Sequence, residues 1–462
     1  MPGSAAAHPR ETGADSVGRL KAADQSVPGR LNLFQRMMLR WRDMHPYNAV
    51  HVVLVPRPFG EMPVAERIGR VLEAHGLTGL VLDRRRRRFE YEGGPAEVTL
   101  EVLPGGVDPL GVVCREIERQ LNQPFPHSPR GNPFRFFAVT GEHSIHLGLA
   151  YDHFIASGES IALLLNAIAE ACAGTASLEA APNLYPGTYR GLFLRHPLVL
   201  ARGLFTLPRL VATSRRSLRP RYARAEGAHN GFAYLRLDPD ESATLRRTAK
   251  AWGVTVADLF LAATLLALSP LAAQRHRERR RRQLAVASIV NARDDFGAEP
   301  QRVFGQFLAS FSVAHPLPEG ISLRELAQDV HNWTARIKRD KLYLQTIIAL
   351  GVSDLMWPFL SRARREGFYA KYHPVWGGVT PLNVDALWGK SGRNDVRSWE
   401  YFRAVSTGPL SPLVLAVTTA QDTMHVGVSY RTAAFSRTMV DDVTAAFRGC
   451  IANLEKAEAC AA

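Results

Sequence analysis

The sequence predicts an α/β protein built from two similar α/β sandwich lobes. Its 462 residues are more than one hydrophobic core usually serves. Strands and helices alternate through roughly the first 150 residues, the pattern of a layered α/β domain. A second series begins at Phe232 and repeats the theme of a strand, helices, and a final hairpin followed by an apolar helix.

The organisation of the chain follows from these two series. We expect a disordered tail at 1–28, an N-terminal lobe at 29–180, a connector at 181–230 and a C-terminal lobe at 231–462. The tail is small, polar and mixed in charge, so it lacks the apolar core of a secretory signal. No run of about 20 uninterrupted apolar residues occurs, so no membrane-spanning helix is predicted.

In the N-terminal lobe, apolar residues three and four apart predict helices, and short apolar, β-branched runs predict strands. Helices are predicted at 31–41, 63–75, 110–121 and 160–172, and strands at 49–55, 79–82, 98–103, 134–140 and 144–151. The last two strands form a hairpin across Gly141 and Glu142. The basic run Arg84–Arg88 is interpreted as a charged hairpin flank in preference to a docking patch for phosphate or a carrier protein.

The second half follows the same rules. The connector holds an apolar segment at 197–211 and then a basic one. Strands are predicted at 232–237, 284–290, 413–420 and 424–430. Helices are predicted at 239–252 and 440–455, and a further helix is predicted to begin at Thr255. Thr255 and Asp258 have the spacing of a capping box. Arg275–Arg282 is expected to be a solvated loop.

The charge balance is unusual. There are 57 Lys and Arg against 43 Asp and Glu, a formal net charge of +14. Two explanations of this positive charge stay open. The protein has an anionic partner, such as nucleic acid, a lipid surface or coenzyme A, or its solvent-exposed faces are simply rich in arginine. The arginine runs lack interleaved aromatic residues and no nucleic-acid-binding motif occurs, so we expect no nucleic-acid partner. The four cysteines are scattered, which predicts no metal site and agrees with a reducing cytoplasm.

The segment Tyr151–Gly158, with the sequence YDHFIASG, lies between a predicted strand and an apolar helix. Loops at such junctions often carry functional groups on a rigid scaffold. Imidazole titrates near neutral pH, so His153 can take a proton from an attacking hydroxyl, amine or thiol. Ser157 is expected to cap the following helix.

This segment resembles the HHxxxDG motif of the superfamily that includes chloramphenicol acetyltransferase, peptide-synthetase condensation domains, wax ester synthases and BAHD acyltransferases. The resemblance implies two chloramphenicol-acetyltransferase-like lobes, related as a pseudo-dimer, with an active-site tunnel between them. His153 takes the place of the catalytic base, and Gly158 that of the final glycine. Asp152 replaces the first His, and Ser157 replaces an Asp that ties the loop to an Arg in the family. Asp152 is a candidate replacement carboxylate.

Other segments extend the resemblance along the chain. Residues 32–55 resemble the opening of condensation domains, 291–296 and 304–307 their strand-to-loop segment, and 412–436 their last hairpin. Residues 385–389 (DALWG) resemble the BAHD motif DFGWG in three of five positions. Because that motif is structural, Arg293 and Asp385 are candidates for scaffold ion pairs.

The resemblance implies an acyltransferase. An acyl group would arrive as a thioester of coenzyme A or of a carrier protein, and His153 would deprotonate a hydroxyl or amine acceptor. The tetrahedral oxyanion needs a hydrogen-bond donor. Asn383, Ser288 and Thr380 are the polar candidates, and no metal or bound cofactor is expected.

Two alternatives stay open. Apolar helices are predicted at 198–211 and 342–360. Each is followed by basic residues, which suits either ordinary packing or contact with anionic lipid. We therefore expect a cytoplasmic enzyme of lipid or natural-product biosynthesis, with peripheral contact to the inner membrane face as an option. The altered motif also allows a non-catalytic condensation-like module that binds a carrier protein or an acyl ligand.

Overall fold

The computed structural model describes residues 28–56, 63–174, 184, 189–223, 227–296, 303–389 and 400–454. The predicted N-terminal tail therefore lies almost wholly outside the described residues, as does Arg224 of the basic connector segment.

The first part of the chain follows the predicted order. Its elements are β1 (Gly29–Arg30), α1 (Leu33–Arg42), β2 (Asn48–Pro56), α2 (Val64–Ala74), β3 (Leu80–Asp83), β4 (Arg88–Tyr91), β5 (Leu100–Pro104), α3 (Pro109–Asn122), β6 (Phe134–Thr140), β7 (Ser144–Asp152) and α4 (Gly158–Cys172). The predicted hairpin is confirmed, since β6 and β7 pair antiparallel.

The apolar segment of the connector is a helix, as predicted, and a shorter helix precedes it. The connector contains α5 (Tyr189–Arg195) and α6 (Pro197–Ser214). The second half then contains β8 (Asn230–Leu237), α7 (Pro239–Ala251), α8 (Val256–Leu268), β9 (Leu284–Asn291), α9 (Arg293–Phe296), β10 (Leu308–His315), α10 (Leu323–Arg339), α11 (Gln345–Met356), α12 (Arg362–Glu366), α13 (Phe368–Tyr372), β11 (Gly377–Asn383), α14 (Val384–Trp388), β12 (Tyr401–Val405), β13 (Leu413–Ala420), β14 (Thr423–Arg431) and α15 (Arg437–Ala452). Short 3-10 helices lie at Pro270–Arg277, Leu342–Leu344 and Trp357–Phe359.

Two large mixed sheets form the centres of the two lobes. The first has the strand order β12-β2-β7-β6-β5, and the second has the order β10-β9-β11-β13-β14-β8. A small third sheet has the order β1-β4-β3. The long apolar helices α4 and α8 are buried against these sheets, α4 on β2 and α8 on β9, as strongly apolar helices require.

One strand crosses from the second half into the first sheet. β12 pairs antiparallel with β2, so that Arg403 lies opposite His51. At Gly427 in β14, an added Cβ would lie only 2.1 Å from the carbonyl oxygen of Arg403, so a glycine is needed where β12 passes over the second sheet. The domain boundaries stay a prediction, but the two lobes share this strand.

Two local predictions can be compared directly with the structure. The Thr255–Asp258 capping box is confirmed. Arg84–Arg87 form the exposed turn between β3 and β4 and Arg88 begins β4, which confirms the hairpin interpretation.

The prediction that Arg275–Arg282 is a solvated loop is wrong at its start. Arg275 belongs to a 3-10 helix and is only 2% exposed. Its guanidinium donates to the carbonyl oxygens of Ser269 and Ala272. A buried arginine is tolerated here because backbone oxygens satisfy its donors.

Candidate functional site

A cavity of about 870 Å³ lies between the two large sheets. Its walls contain residues of both lobes and are mostly apolar, including Phe34, Met38 and Trp41 of α1, Leu207 and Val211 of α6, Ile337 of α10, Leu308 and Phe311 of β10, and Val379 of β11. This volume lies in the range that encloses a small organic ligand.

The cavity reaches the surface beside α10 and α11. The lining residues Trp333, Val352 and Met356 are 49%, 39% and 41% exposed. Arg336, which also lines the cavity, has a side chain that is 67% exposed. A ligand can therefore enter between these two helices.

His153 lies in this cavity, directly after β7. Its backbone N–H donates to the carbonyl oxygen of Tyr47 at 3.2 Å. The Gln306 amide donates to the carbonyl oxygens of His153 and Ala156, at 2.6 and 2.8 Å. These bonds from both lobes fix the loop, while the imidazole packs beside the rings of Tyr47 and Tyr151.

The environment keeps the His153 imidazole neutral. The pKa of His153 is lowered to about 4, chiefly because the imidazole is buried. The carbonyl groups of Ala156 and His153 oppose this shift, and the Arg403 cation adds to it. Nδ1 is buried and has no hydrogen-bond partner among the described residues. A neutral imidazole that no acidic side chain engages is in the correct protonation state to accept a proton.

Asp152 does not face His153. It is 2% exposed and forms a buried ion pair with Arg42 of α1. Burial raises the pKa of Asp152 and the Arg42 cation opposes that rise. Asp152 therefore joins the loop to α1 and is not a carboxylate that orients the imidazole.

Ser157 does not use its side chain to cap α4, contrary to the expectation. Its hydroxyl accepts a hydrogen bond from Arg293 at 3.2 Å. Arg293 also donates to Ser160 and lies 3.3 Å from a carboxylate oxygen of Glu159. The link between the loop and an arginine is therefore present here, with a serine at the motif's Asp position and a glutamate two residues later.

Asp385 lies elsewhere and does not pair with Arg293. Its carboxylate accepts a hydrogen bond from the backbone N–H of Gln421 at 2.8 Å, which ties α14 to the turn after β13. Burial raises the pKa of Asp385.

The three candidate oxyanion donors are not brought together. Thr380 lines the cavity. Asn383 is exposed and caps α14 by accepting from the N–H of Ala386. Ser288 is buried in β9, where its neighbours Ala287 and Ile289 are the ones that line the cavity. Alternation along a strand accounts for this, since adjacent side chains point to opposite faces.

Among the polar residues of the site that were not predicted from the sequence are Arg403 and His51. Both line the cavity, on paired strands. Burial lowers the pKa of His51 far below its usual value, and its Nδ1 lies 2.6 Å from the Tyr401 hydroxyl. A single arginine in the otherwise apolar stretch YFRAV was the signal that could have identified Arg403.

Among the described residues, no group of three or more His, Cys, Asp or Glu side chains is placed to hold a metal ion. Neither a protein-family model nor a curated protein sequence matches the chain.

Solved structures do match. The first condensation domain of the calcium-dependent antibiotic synthetase has a TM-score of 0.65 and 16% identity, covering 93% of this chain and 97% of its own. SgcC5 from Streptomyces globisporus has a TM-score of 0.63 and 12% identity, covering 92% and 99%. The epimerization domain of tyrocidine synthetase B has a TM-score of 0.61 and 11% identity, covering 93% and 96%. The predicted two-lobed α/β fold is confirmed, and it is the fold of these condensation and epimerization domains.

Proposed function

We propose that the protein is an acyltransferase that moves an acyl group from a thioester to a hydroxyl or amine acceptor, with His153 as general base. The observation that carries this proposal is a neutral imidazole in a cavity between the lobes, held by backbone bonds and free of any acidic partner among the described residues.

In the proposed reaction, His153 takes the proton of the acceptor as its oxygen or nitrogen attacks the thioester carbonyl carbon. The C–S bond then breaks, and the imidazolium returns the proton to the departing thiolate. An ester or amide and a free thiol are the products. Because His153 is regenerated neutral, each turnover balances without another reactant.

Thr380 is the proposed donor to the tetrahedral oxyanion. Of the three predicted donors it is the one that lines the cavity. Its hydroxyl oxygen accepts from Arg403 at 3.4 Å, so its own hydrogen is available to a ligand.

The proposed donor is an acyl thioester of a carrier protein or of coenzyme A. The similarity to condensation domains of antibiotic synthetases supports a carrier protein, and the net charge of +14 suits the phosphate groups that both carriers have.

The test is thiol release from a panel of acyl-carrier-protein and acyl-coenzyme A thioesters. We expect His153→Ala to slow acceptor-dependent release by at least about 100-fold, since general-base catalysis contributes that much. His143→Ala is the matched control, because this histidine lies in an exposed hairpin turn, with its side chain 88% exposed. Equal release by His153→Ala and wild type would remove the general-base assignment and favour the non-catalytic binding module.

We also propose that the substrate is lipidic and is taken up at an anionic membrane surface, on the cytoplasmic face. Exposed apolar residues lie three, four and seven apart at the end of α11, in Val352, Leu355, Met356 and Phe359. On α6, Leu198, Arg202, Phe205 and Arg209 are all exposed and share one helical face. We call these eight residues the apolar-basic face.

Three observations support lipid as the partner of the apolar-basic face. α6 and α11 pack together, with Gln345 donating to Thr206 at 3.1 Å. Val352 and Met356 belong to both this face and the cavity wall. The stretch 181–225 contains nine arginines and no Asp or Glu, which complements anionic headgroups.

One helical stretch, Leu342–Phe359, is long and apolar enough to cross a membrane by length and composition, but 44% of it is buried within the fold. Because residues of this stretch line the cavity, we propose that it contacts the membrane surface and does not span the membrane.

A further inference from the structure

Arg403 is the most buried cation of the cavity wall. It is 3% exposed, and its neighbours Phe402 and Ala404 are 1% and 0% exposed. The other arginine that lines the cavity, Arg336, is exposed and lies near a carboxylate. Its side chain is 67% exposed, and it lies 3.9 Å from the carboxylate of Asp340.

Among the described residues, the hydrogen bonds of Arg403 all end on neutral oxygens. Nε donates to the Thr418 hydroxyl at 3.1 Å, and Nη1 to the Thr380 hydroxyl at 3.4 Å. Nη2 donates to the carbonyl oxygens of Thr380 and Val417. A guanidinium has five N–H groups, so these four bonds leave one hydrogen on Nη1.

No carboxylate within the described part of the chain neutralises this cation. Glu159 is the acidic residue that acts on its pKa, and Glu159 is the ion-pair partner of Arg293. Burial lowers the pKa of Arg403 to about 10, and the group stays charged at neutral pH. A buried charge without a counter-ion is costly, and a bound anion would remove that cost.

Nη1 lies near Gly158 and His51, which also line the cavity. A Cβ added at Gly158 would lie 3.4 Å from Nη1 and 3.6 Å from Cε1 of His51. The absence of a side chain at Gly158 therefore leaves space beside Nη1, within the same cavity as His153.

We propose that the cavity binds an amphipathic carboxylic acid, with the carboxylate on Arg403 beside His153 and the apolar body along the wall formed by α1, α10 and β10. This inference rests on the proposed function and adds to it that the molecule carrying the acceptor hydroxyl or amine also carries a carboxylate. Charge-assisted bonding to an arginine is the chemistry that selects a carboxylate over an alcohol.

The probe pair is dodecanoate, below its critical micelle concentration, and 1-dodecanol, below its solubility limit. Trp41 and Trp333 line the cavity, so tryptophan fluorescence reports binding, and calorimetry confirms it. We expect wild type to bind dodecanoate at least tenfold more tightly than dodecanol. Arg403→Gln should lose this preference, and Arg403→Lys should retain part of it.

Arg336→Gln is the matched control, because it removes a cavity-lining cation at the exposed entrance, and it should keep the preference for the acid. Equal affinity of wild type for acid and alcohol, or an unchanged preference in Arg403→Gln, would overturn the proposal. If Arg403→Gln does not fold, the wild-type comparison and Arg403→Lys decide it.

The outcome is separable from the proposed transfer reaction. His153→Ala removes the base but leaves Arg403 in place, so it should still prefer dodecanoate. Selective acid binding without any thiol release would refute the acyl transfer alone. Thiol release without acid selectivity would refute the carboxylate site alone.

Discussion

Single residues around Arg293 show how the loop that carries His153 is supported without the motif's aspartate. Ser157 accepts a hydrogen bond from Arg293, and Glu159 supplies the negative charge from the first turn of α4. Arg293 is 1% exposed and also donates to the carbonyl oxygen of Val303, so it joins the loop to the segment before Gly305. An ionic link between this loop region and an arginine is therefore present, with Glu159 as its carboxylate.

This arrangement makes Glu159 the critical partner. We expect Glu159→Gln to destabilise the protein by about 2–3 kcal/mol, because it leaves the buried Arg293 cation without a counter-ion. Denaturant unfolding measures the change. Glu319→Gln, in an exposed turn, is the control and should leave stability unchanged.

A second substitution distinguishes a charge effect from a packing effect. Adding Ser157→Asp to Glu159→Gln places a carboxylate at the motif's usual position beside Arg293. Most of the lost stability should return. A double variant that is no more stable than Glu159→Gln would contradict this account.

At the scale of elements, α6 and α11 present an apolar-basic face that a purely internal role does not require. We expect Leu355→Ser combined with Phe359→Ser to weaken binding to vesicles of phosphatidylcholine and phosphatidylglycerol at least fivefold. These side chains are 74% and 86% exposed, so the fold should be unaffected. Vesicle co-sedimentation is the measurement.

The matched control for this face is Val102→Ser with Val107→Ser, since both valines are exposed and lie near β5, outside the apolar-basic face. Binding should also decrease with added salt, because screening weakens exposed charge interactions. It should be absent on phosphatidylcholine alone, because that lipid has no net charge. Equal binding by both double variants would exclude this face as the lipid contact.

Elements with local signals were predictable. The β6–β7 and β13–β14 hairpins join neighbouring segments, and their alternating apolar residues and short turns define them. β12 was not predicted, because it is five residues long and its partner β2 lies far away in the chain. Arg403 was missed with it. His153 was accessible to sequence reasoning only because its loop resembles a motif.

At the scale of the whole molecule, the structure buries several histidines in neutral form. Burial lowers the pKa to about 4 for His45, His153, His373 and His425, and well below the usual value for His51. Such groups bind a proton more weakly in the folded state than in the unfolded state, where the pKa is about 6.5. Their contribution to stability is therefore full above about pH 6.5 and decreases as the pH falls toward 4.

We expect the melting temperature to fall between pH 7 and pH 5. For each pH unit by which the pH falls in this window, each such histidine can lower the free energy of unfolding by up to about 1.4 kcal/mol. Thermal unfolding across this range is the measurement. His425→Gln should reduce the slope, whereas His143→Gln, at an exposed position, should not. A constant melting temperature would show that these histidines already titrate normally.

The crossing of β12 also determines how the chain can be divided. A fragment that ended in the connector would leave β2 without its outer neighbour, because β12 covers that edge from Ala49 to Val53. An uncovered, apolar edge strand invites pairing with other chains, so such a fragment would tend to aggregate. Separate production of the halves would require grafting residues 401–405 onto the first. The sheet of the first lobe is thus completed by a strand from the second half of the chain.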